Sequence, residues 1–294
     1  MKKTIILLVL VCCFQGWSQI NHPKASPFTK IEQEVGLSKI IISYSRPAAR
    51  GRTIFGNRAD GQPGLVPYGR IWRVGANEST KITFDSDVVI IGKTLSKGTY
   101  ALYAFPEADE WEIVFHKNTN HWGDGRSAYN PKEDALRVQV KPKRTLNFQE
   151  NFLISFDGIT HDAVELSLNW ARTKISVPMT FNTNTLMEEQ IIVKLKDNPT
   201  AQTYYEIARY YQEQDTNQEQ SLEYLNKAIE FGGDTYYFHR VKSLVQAKLG
   251  DYKAAIQSAQ KSLEISDSLG KDEFVRMNKK NIIDWMGKLK RVKE

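Results

Sequence analysis

The chain has 294 residues, a formal net charge of +6 and 25% charged side chains. A basic excess that small, spread over so long a chain, argues against nucleic acid as a ligand and suits attraction to anionic surfaces. Cys12 and Cys13 are the two cysteines, so everything after them lacks a disulfide, a thiol nucleophile and a Cys-ligated metal site.

In chain order, the first element is a leader. Met1-Lys2-Lys3 is basic, 4–14 is an apolar run too short to span a bilayer, and Gly16-Trp17-Ser18 supplies small residues. The expectation is a signal peptide over 1–18, cut between Ser18 and Gln19, delivering the product to the periplasm or the exterior. Loss of Lys2 and Lys3 leaves a charge of +4. Lipid anchoring at Cys12 or Cys13 is disfavoured because Val11 and Cys12, rather than small residues, precede them. No later run is long and apolar enough to cross a membrane.

Residues 19–29 read as a flexible lead-in containing Pro23 and Pro27. A β domain is expected over 30–181. Ile40-Ile41-Ile42 leads into Tyr44, and Pro47 ends that strand. Further strands are expected at 71–74, 80–84, 88–91, 99–105, 111–115, 135–140, 152–156, 163–170 and 174–179. Alternation is clearest in Val164-Glu165-Leu166-Ser167-Leu168-Asn169-Trp170, with one apolar and one polar face. Short, closely spaced strands with no intervening helix predict an antiparallel sandwich or barrel.

The composition then changes. Thr185 and Glu188 have capping-box spacing, predicting a linker helix over 182–200 that stops before Pro199. Over 201–294 the pattern is helical and repeats at an offset of 34: Ser221-Leu222 matches Ala255-Ile256, and Ala228-Ile229 matches Ser262-Leu263. Asp215-Thr216-Asn217 and Gly250-Asp251-Tyr252 are the expected inter-helix turns. Residues 249–266 resemble the turn and second helix of a tetratricopeptide repeat. A last helix over 273–290 has Phe274, Met277, Ile282, Trp285 and Met286 as its apolar side. The fold class is therefore β then α, with a protein partner expected for the repeats. The tyrosines at 204, 205, 210, 211, 236 and 237 and Phe238 are read mainly as packing.

The stretch 44–84 is the densest in chemistry. Between 45 and 75 it holds Arg46, Arg50, Arg52, Arg58, Arg70 and Arg73 against one acid, Asp60, and it is punctuated by glycine and proline. Arg46, Arg52, Arg70 and Arg73 suit carboxylate, phosphate or sulfate groups. Trp72, Tyr44, Phe55 and Tyr68 suit a sugar face, and Asn77 and Glu78 add hydrogen bonds and a counter-charge. The plainer reading pairs the arginines with Glu78, Asp60 and loop carbonyls to pin a long connection.

YSRP (44–47), GRTIFG (51–56), LVPYGRIWRVGANESTKITF (65–84), KGTYALYAFP (97–106), EWEIVFHK (110–117), WG (122–123) and ALRVQVKP (135–142) occur in one order. Together they resemble the DUF2911 family over about residues 22–181. The resemblance implies an exported bacterial protein of the kind common in Bacteroidetes-type bacteria, a β fold and no known reaction. The insert 57–64 (NRADGQPG) departs from the shorter loop typical of that family.

Other chemistry is sparse. His116, His121 and Asp124 are weak metal-ligand candidates without a recognised spacing, and solvated or satisfied histidines are the default. There is no GxSxG elbow, no Walker A, no GxGxxG and no assignable carboxylate pair. No cofactor is implied. The preferred reading is a non-enzymatic exported binding or scaffold protein whose β domain takes an anionic or glycan ligand at Arg46, Arg52, Arg70, Trp72, Arg73, Asn77 and Glu78. An envelope hydrolase on an anionic or glycan substrate, and a purely structural envelope protein, are the alternatives.

Overall fold

The computed structural model describes residues 22–122 and 128–291. The leader, Cys12, Cys13, Ser18, Gln19 and Asp124 lie outside the described residues. The chain divides into two compact units, Met1–Asn184 and Thr185–Glu294.

The first unit is an antiparallel two-sheet structure. Its strands are β1 (Phe28–Val35), β2 (Ser38–Ser45), β3 (Thr80–Phe84), β4 (Val88–Ile90), β5 (Lys93–Leu95), β6 (Gly98–Pro106), β7 (Trp111–His116), β8 (Asp134–Val140), β9 (Lys143–Asp157) and β10 (Ala163–Phe181). They form a six-stranded sheet in the order β1-β2-β3-β6-β7-β8 and a four-stranded sheet in the order β5-β4-β10-β9. Period-two patterning turns one face of each sheet inward. Ile40, Ile42, Ile82, Phe84, Leu102, Ile113 and Phe115 from the larger sheet share one core with Ile90, Phe152, Ile154, Leu166, Leu168 and Trp170 from the smaller. Full burial of each such side chain is worth about 1.5–3 kcal/mol.

Three expectations are revised here. The lead-in ends at Phe28, where β1 begins; on its inward side FTKIEQEV offers only Ile31 and Val35 among polar residues, because β1 is a half-exposed edge strand whose pairing comes from β2. The strand expected at 71–74 shrinks to a single bridge, Trp72 to Ala104, because Val74 turns into the left-handed region at φ 54. Residues 143–151, not assigned to any strand from the sequence, are the first half of β9.

The second unit contains α1 (Thr183–Lys196, beginning at its edge), α2 (Ala201–Glu213), α3 (Gln218–Glu230), α4 (Tyr236–Lys248), α5 (Tyr252–Ser268) and α6 (Asp272–Arg291). Helix α1 starts before Thr185, so Thr185 and Glu188 lie within it; Glu188 instead accepts a hydrogen bond from Tyr211 Oη at 3.3 Å. The capping box observed is Thr200 with Thr203, opening α2. Small residues at the repeat offset, Ser221, Ala228, Ala255 and Ser262, are all fully buried. Their size lets α2 and α3, and α4 and α5, approach closely, and the hydroxyls of Ser221 and Ser262 donate to the carbonyls of Ala208 and Tyr236 across those contacts. Consecutive helices from α2 to α6 pack on one another, and α2 also reaches α4. On α6, Val275, Asn278 and Trp285 face inward while Met286 is half exposed, since its neighbour Trp285 takes the inward position.

Gly36 opens the two-residue turn between β1 and β2 with φ +57. A Cβ there would stand 2.4 Å from both the His161 carbonyl and Thr183 Oγ1. Gly36→Ala is expected to destabilise the β unit by about 1–3 kcal/mol, read from the urea midpoint by tryptophan fluorescence. An unchanged midpoint would contradict this.

Candidate functional site

The connection between β2 and β3, residues 46–79, contains no regular element longer than an isolated bridge. A connection of that length inside a compact unit needs an anchor, and Trp72 provides it. Its ring is 7% exposed. It stacks on Trp170 at 6.0 Å and meets Phe55, Trp111 and Phe152 edge-on at 5.7, 6.1 and 5.1 Å. Its indole N–H donates to the Gly75 carbonyl at 3.3 Å. Aromatic pairs of this kind add about 0.5–1.5 kcal/mol beyond area burial. Trp72 is thus a core residue, contributing only the floor of a cleft rather than an open stacking face. Short backbone ladders finish the connection: Phe55 bridges Val66 and Asn57 bridges Pro63. Gly56 lies under the Tyr68 ring, where a Cβ would be 2.7 Å from the ring edge.

The arginines expected to form one cluster disperse. Arg46 Nε donates to the Phe152 carbonyl at 3.0 Å and pins the connection to β9. Arg52 donates to the carbonyls of Ala49 and Ala48 at 3.0 and 2.6 Å, which fixes its stem at the surface. Arg58 pairs with Asp60 at 3.0 Å. Arg70 is exposed and lines none of the clefts around Arg52. Asn77, at φ 64, donates to Ser45 Oγ and the Ser26 carbonyl, so it builds a turn. Glu78 pairs with Lys81 at 2.9 Å rather than with any arginine.

Arg52 and Arg73 do meet a cleft of about 270 Å³, together with Arg50 and the edges of Trp72 and Trp170. A larger cleft, about 690 Å³, adjoins Arg52 on its other side. Lys143, Arg144 and Arg172 contribute its remaining cations, and Phe55, Tyr68, Trp111 and Phe148 its rings. Tyr68 and Phe148 are 41% and 50% exposed. Among the described residues, no aspartate or glutamate lines either cleft. Among the described residues, Arg52, Lys143, Arg144 and Arg172 make no ion pair; Arg52 and Arg172 bond to backbone carbonyls.

Lys143, Arg144, Phe148 and Arg172 were not foreseen from the sequence. A large bulge brings them together. Gln149 faces Ala171 and Arg144 faces Thr173, so 145–148 on β9 oppose Arg172 alone. Ala171 sits at φ 52, and Arg172 reaches back to the Leu146 carbonyl. Bulges re-aim side chains in this way. The one signal in the sequence was the basic run Lys141-Pro142-Lys143-Arg144.

The outer face of the larger sheet carries a second polar group. His116 is fully buried, accepting from Asn118 N–H at 3.1 Å and donating through Nε2 to the Asn130 carbonyl at 3.0 Å. His121 Nδ1 lies 2.7 Å from Tyr103 Oη. These bonds occupy both nitrogens of His116 and one of His121. No group of three metal-ligating side chains occurs among the described residues. Beside them Arg137 is clamped by Glu112 at 2.5 Å, Asp134 at 3.0 Å and Tyr129 Oη at 2.6 Å. Burial first, then the Asp134 carboxylate, push the Tyr129 phenol up.

Burial, then the His116 ring, hold the His121 imidazole below its ordinary value. The unfolded chain therefore takes up that proton first, so stability tied to the neutral ring is complete above a pH of about 6.5 and is lost as pH falls below it. The urea midpoint is expected to drop between about pH 7.5 and 5.5 and to drop less in His121→Gln. Equal drops would contradict the assignment.

No curated protein and no solved structure matches the chain. The pattern of the family described as Protein of unknown function (DUF2911) matches residues 26–179, just over half of the sequence. That span takes in the lining of the Arg52 clefts save Ala25, the Trp72 anchor and every strand save the last two residues of β10, and on it the chain belongs to the DUF2911 family.

Proposed function

We propose that the chain is an exported, non-enzymatic binding protein whose β unit takes an anionic ligand in the cleft of Arg52, Lys143, Arg144 and Arg172. The observation that carries this reading is a cleft of about 690 Å³ with four cations, two exposed rings and, among the described residues, no carboxylate. A guanidinium without a carboxylate partner offers its planar donors to carboxylate, sulfate or phosphate. Open ring faces accept the C–H face of a sugar. Hydrolysis of a glycan would ordinarily call for two carboxylates at the scissile bond, and the lining of this cleft supports binding over that chemistry. Of the residues expected from the sequence, Arg52 keeps its place in this cleft; Arg73 and Trp72 line the smaller cleft beside it, and Arg46, Asn77 and Glu78 serve the connection that presents both.

The helical unit is read as tetratricopeptide-like, on the offset of 34 and the buried small residues that follow it. A groove of about 440 Å³, lined from α2, α4 and α6 by Tyr205, Tyr236, Tyr237, Arg240 and Phe274, supports a protein partner.

Two outcomes are expected. Lys143→Ala with Arg144→Ala weakens calorimetric binding of trigalacturonate about tenfold or more, since each charge-assisted contact is worth about 1.5–3 kcal/mol, and leaves the melting temperature unchanged because both side chains are exposed. Unchanged affinity would overturn the cleft assignment. Tyr237→Ala in the full chain reduces recovery of the proteins cross-linked to it in envelope extract; identical recovery would remove the groove from the reading.

A further inference from the structure

The cleft of Arg52 and Lys143 does not end at Arg52. A middle depression of about 440 Å³ shares Arg52 and Thr53 with it, and shares Arg52 and Leu65 with the smaller cleft of Arg50 and Arg73. Three depressions therefore adjoin one another at a single residue, Arg52. The middle one is walled by Arg58, Pro63 and Gly64, from the 57–64 insert. Among the described residues, no carboxylate lines any of the three. Of the acids nearby, Asp60 is engaged with Arg58 and Glu150 with the backbone N–H of Arg50 at 2.7 Å, while Glu107 and Asp109 flank Ala108 of the larger cleft without lining it.

We propose that this track binds a linear acidic glycan, with anionic groups on successive sugars spanning from Lys143 and Arg144, past Arg52, to Arg50 and Arg73. The proposal rests on the ligand-site reading of the larger cleft and adds the ligand's length and repeat. A compact anion would fill one depression and leave the others unused. A chain with one carboxylate or sulfate per sugar places a charge opposite each group of cations, and linked contacts gain from one another by raising the local concentration of the next.

The rings decide between glycan and nucleic acid. Base-by-base stacking on a single strand uses a succession of open aromatic faces. Here the open faces, Tyr68 and Phe148, are both at one end, while Trp72 and Trp170 at the other are 7% and 1% exposed and packed in the core. An inorganic polyanion would gain nothing from the rings at all. A sugar needs a ring face at only one subsite, and bidentate cations at the rest.

Binding of mono-, tri- and hexagalacturonate to the full chain by calorimetry tests this, with a heparin-derived hexasaccharide as the sulfated arm and oligo(dT) as the nucleic-acid arm. The hexamer is expected to bind at least about tenfold tighter than the trimer. Arg50→Asn should remove most of that gain and leave trimer affinity unaltered. Arg50 sits at φ 50, a backbone angle asparagine tolerates, and its side chain makes one long bond, 3.4 Å to the Ala25 carbonyl. Arg58→Ser, on the exposed insert, should remove part of the gain and guards against misfolding of the first variant. The heparin hexasaccharide binding alone would assign sulfate as the charge, and galacturonate alone carboxylate. Trimer and hexamer binding equally, or both variants leaving the hexamer unaffected, overturns the track while the single-cleft reading stands. Oligo(dT) binding tighter than either hexasaccharide overturns the glycan assignment. Absence of binding by every acidic sugar overturns both.

Discussion

Burial of Trp72 is the constraint on which the rest of the β unit depends. The chain leaves β2 at Ser45 and re-enters the sheet at Thr80, and without an anchor the intervening segment would face the full entropy of an unstructured loop. Trp72 reaches between the two sheets to Trp170, Trp111, Phe55 and Phe152. Its backbone also pairs with Ala104 in both directions at 2.8 Å. Once that ring is fixed, the chain on either side has little freedom: Gly56 takes the Tyr68 ring, Arg46 reaches Phe152, and Thr80 Oγ1 holds the Val74 carbonyl in its left-handed turn. Arg50, Arg52 and Arg73 are then displayed from a backbone that cannot relax away from them.

The same segment answers why arginine predominates in it. One group of guanidinium ions replaces secondary structure by donating to carbonyls, Arg46 to Phe152 and Arg52 to Ala48 and Ala49. A carbonyl partner leaves the guanidinium charge uncompensated, whereas a carboxylate partner would cancel it. Arg52 therefore braces the loop and still presents positive charge to three depressions. The bracing and binding readings of these arginines are not exclusive, and the division between them falls residue by residue.

How much of this could be read from residues follows from the range of each interaction. Alternation marked β10 at 163–170 and the turn glycines marked its neighbours, since those signals are local. Strand β1 was hidden because, as an edge strand, it brings only Ile31 and Val35 to the core, too few for a visible alternation. The capping box expected at Thr185 failed because α1 begins at Thr183, whereas the repeat offset located the buried Ser221, Ala228, Ala255 and Ser262 correctly. In the site, residue types were legible and partners were not. Arg46 finds its acceptor 106 residues away, and Arg172 joins Arg144 through a register shift that no window of sequence contains. Glu78, the nearest acid in sequence to Arg73, was a natural counter-charge on paper and pairs with Lys81 in space.

Within this account the β unit is a scaffold whose core fixes a loop, whose loop fixes cations, and whose bulged ribbon completes a carboxylate-free cleft. The most direct measurement is a crystal structure of the full chain with hexagalacturonate. Ligand density is expected against Arg52, Arg144 and Arg172, with a sugar face on Tyr68 or Phe148 and the glycan continuing toward Arg50. Density confined to the helical unit, or bound away from Arg52, would contradict it.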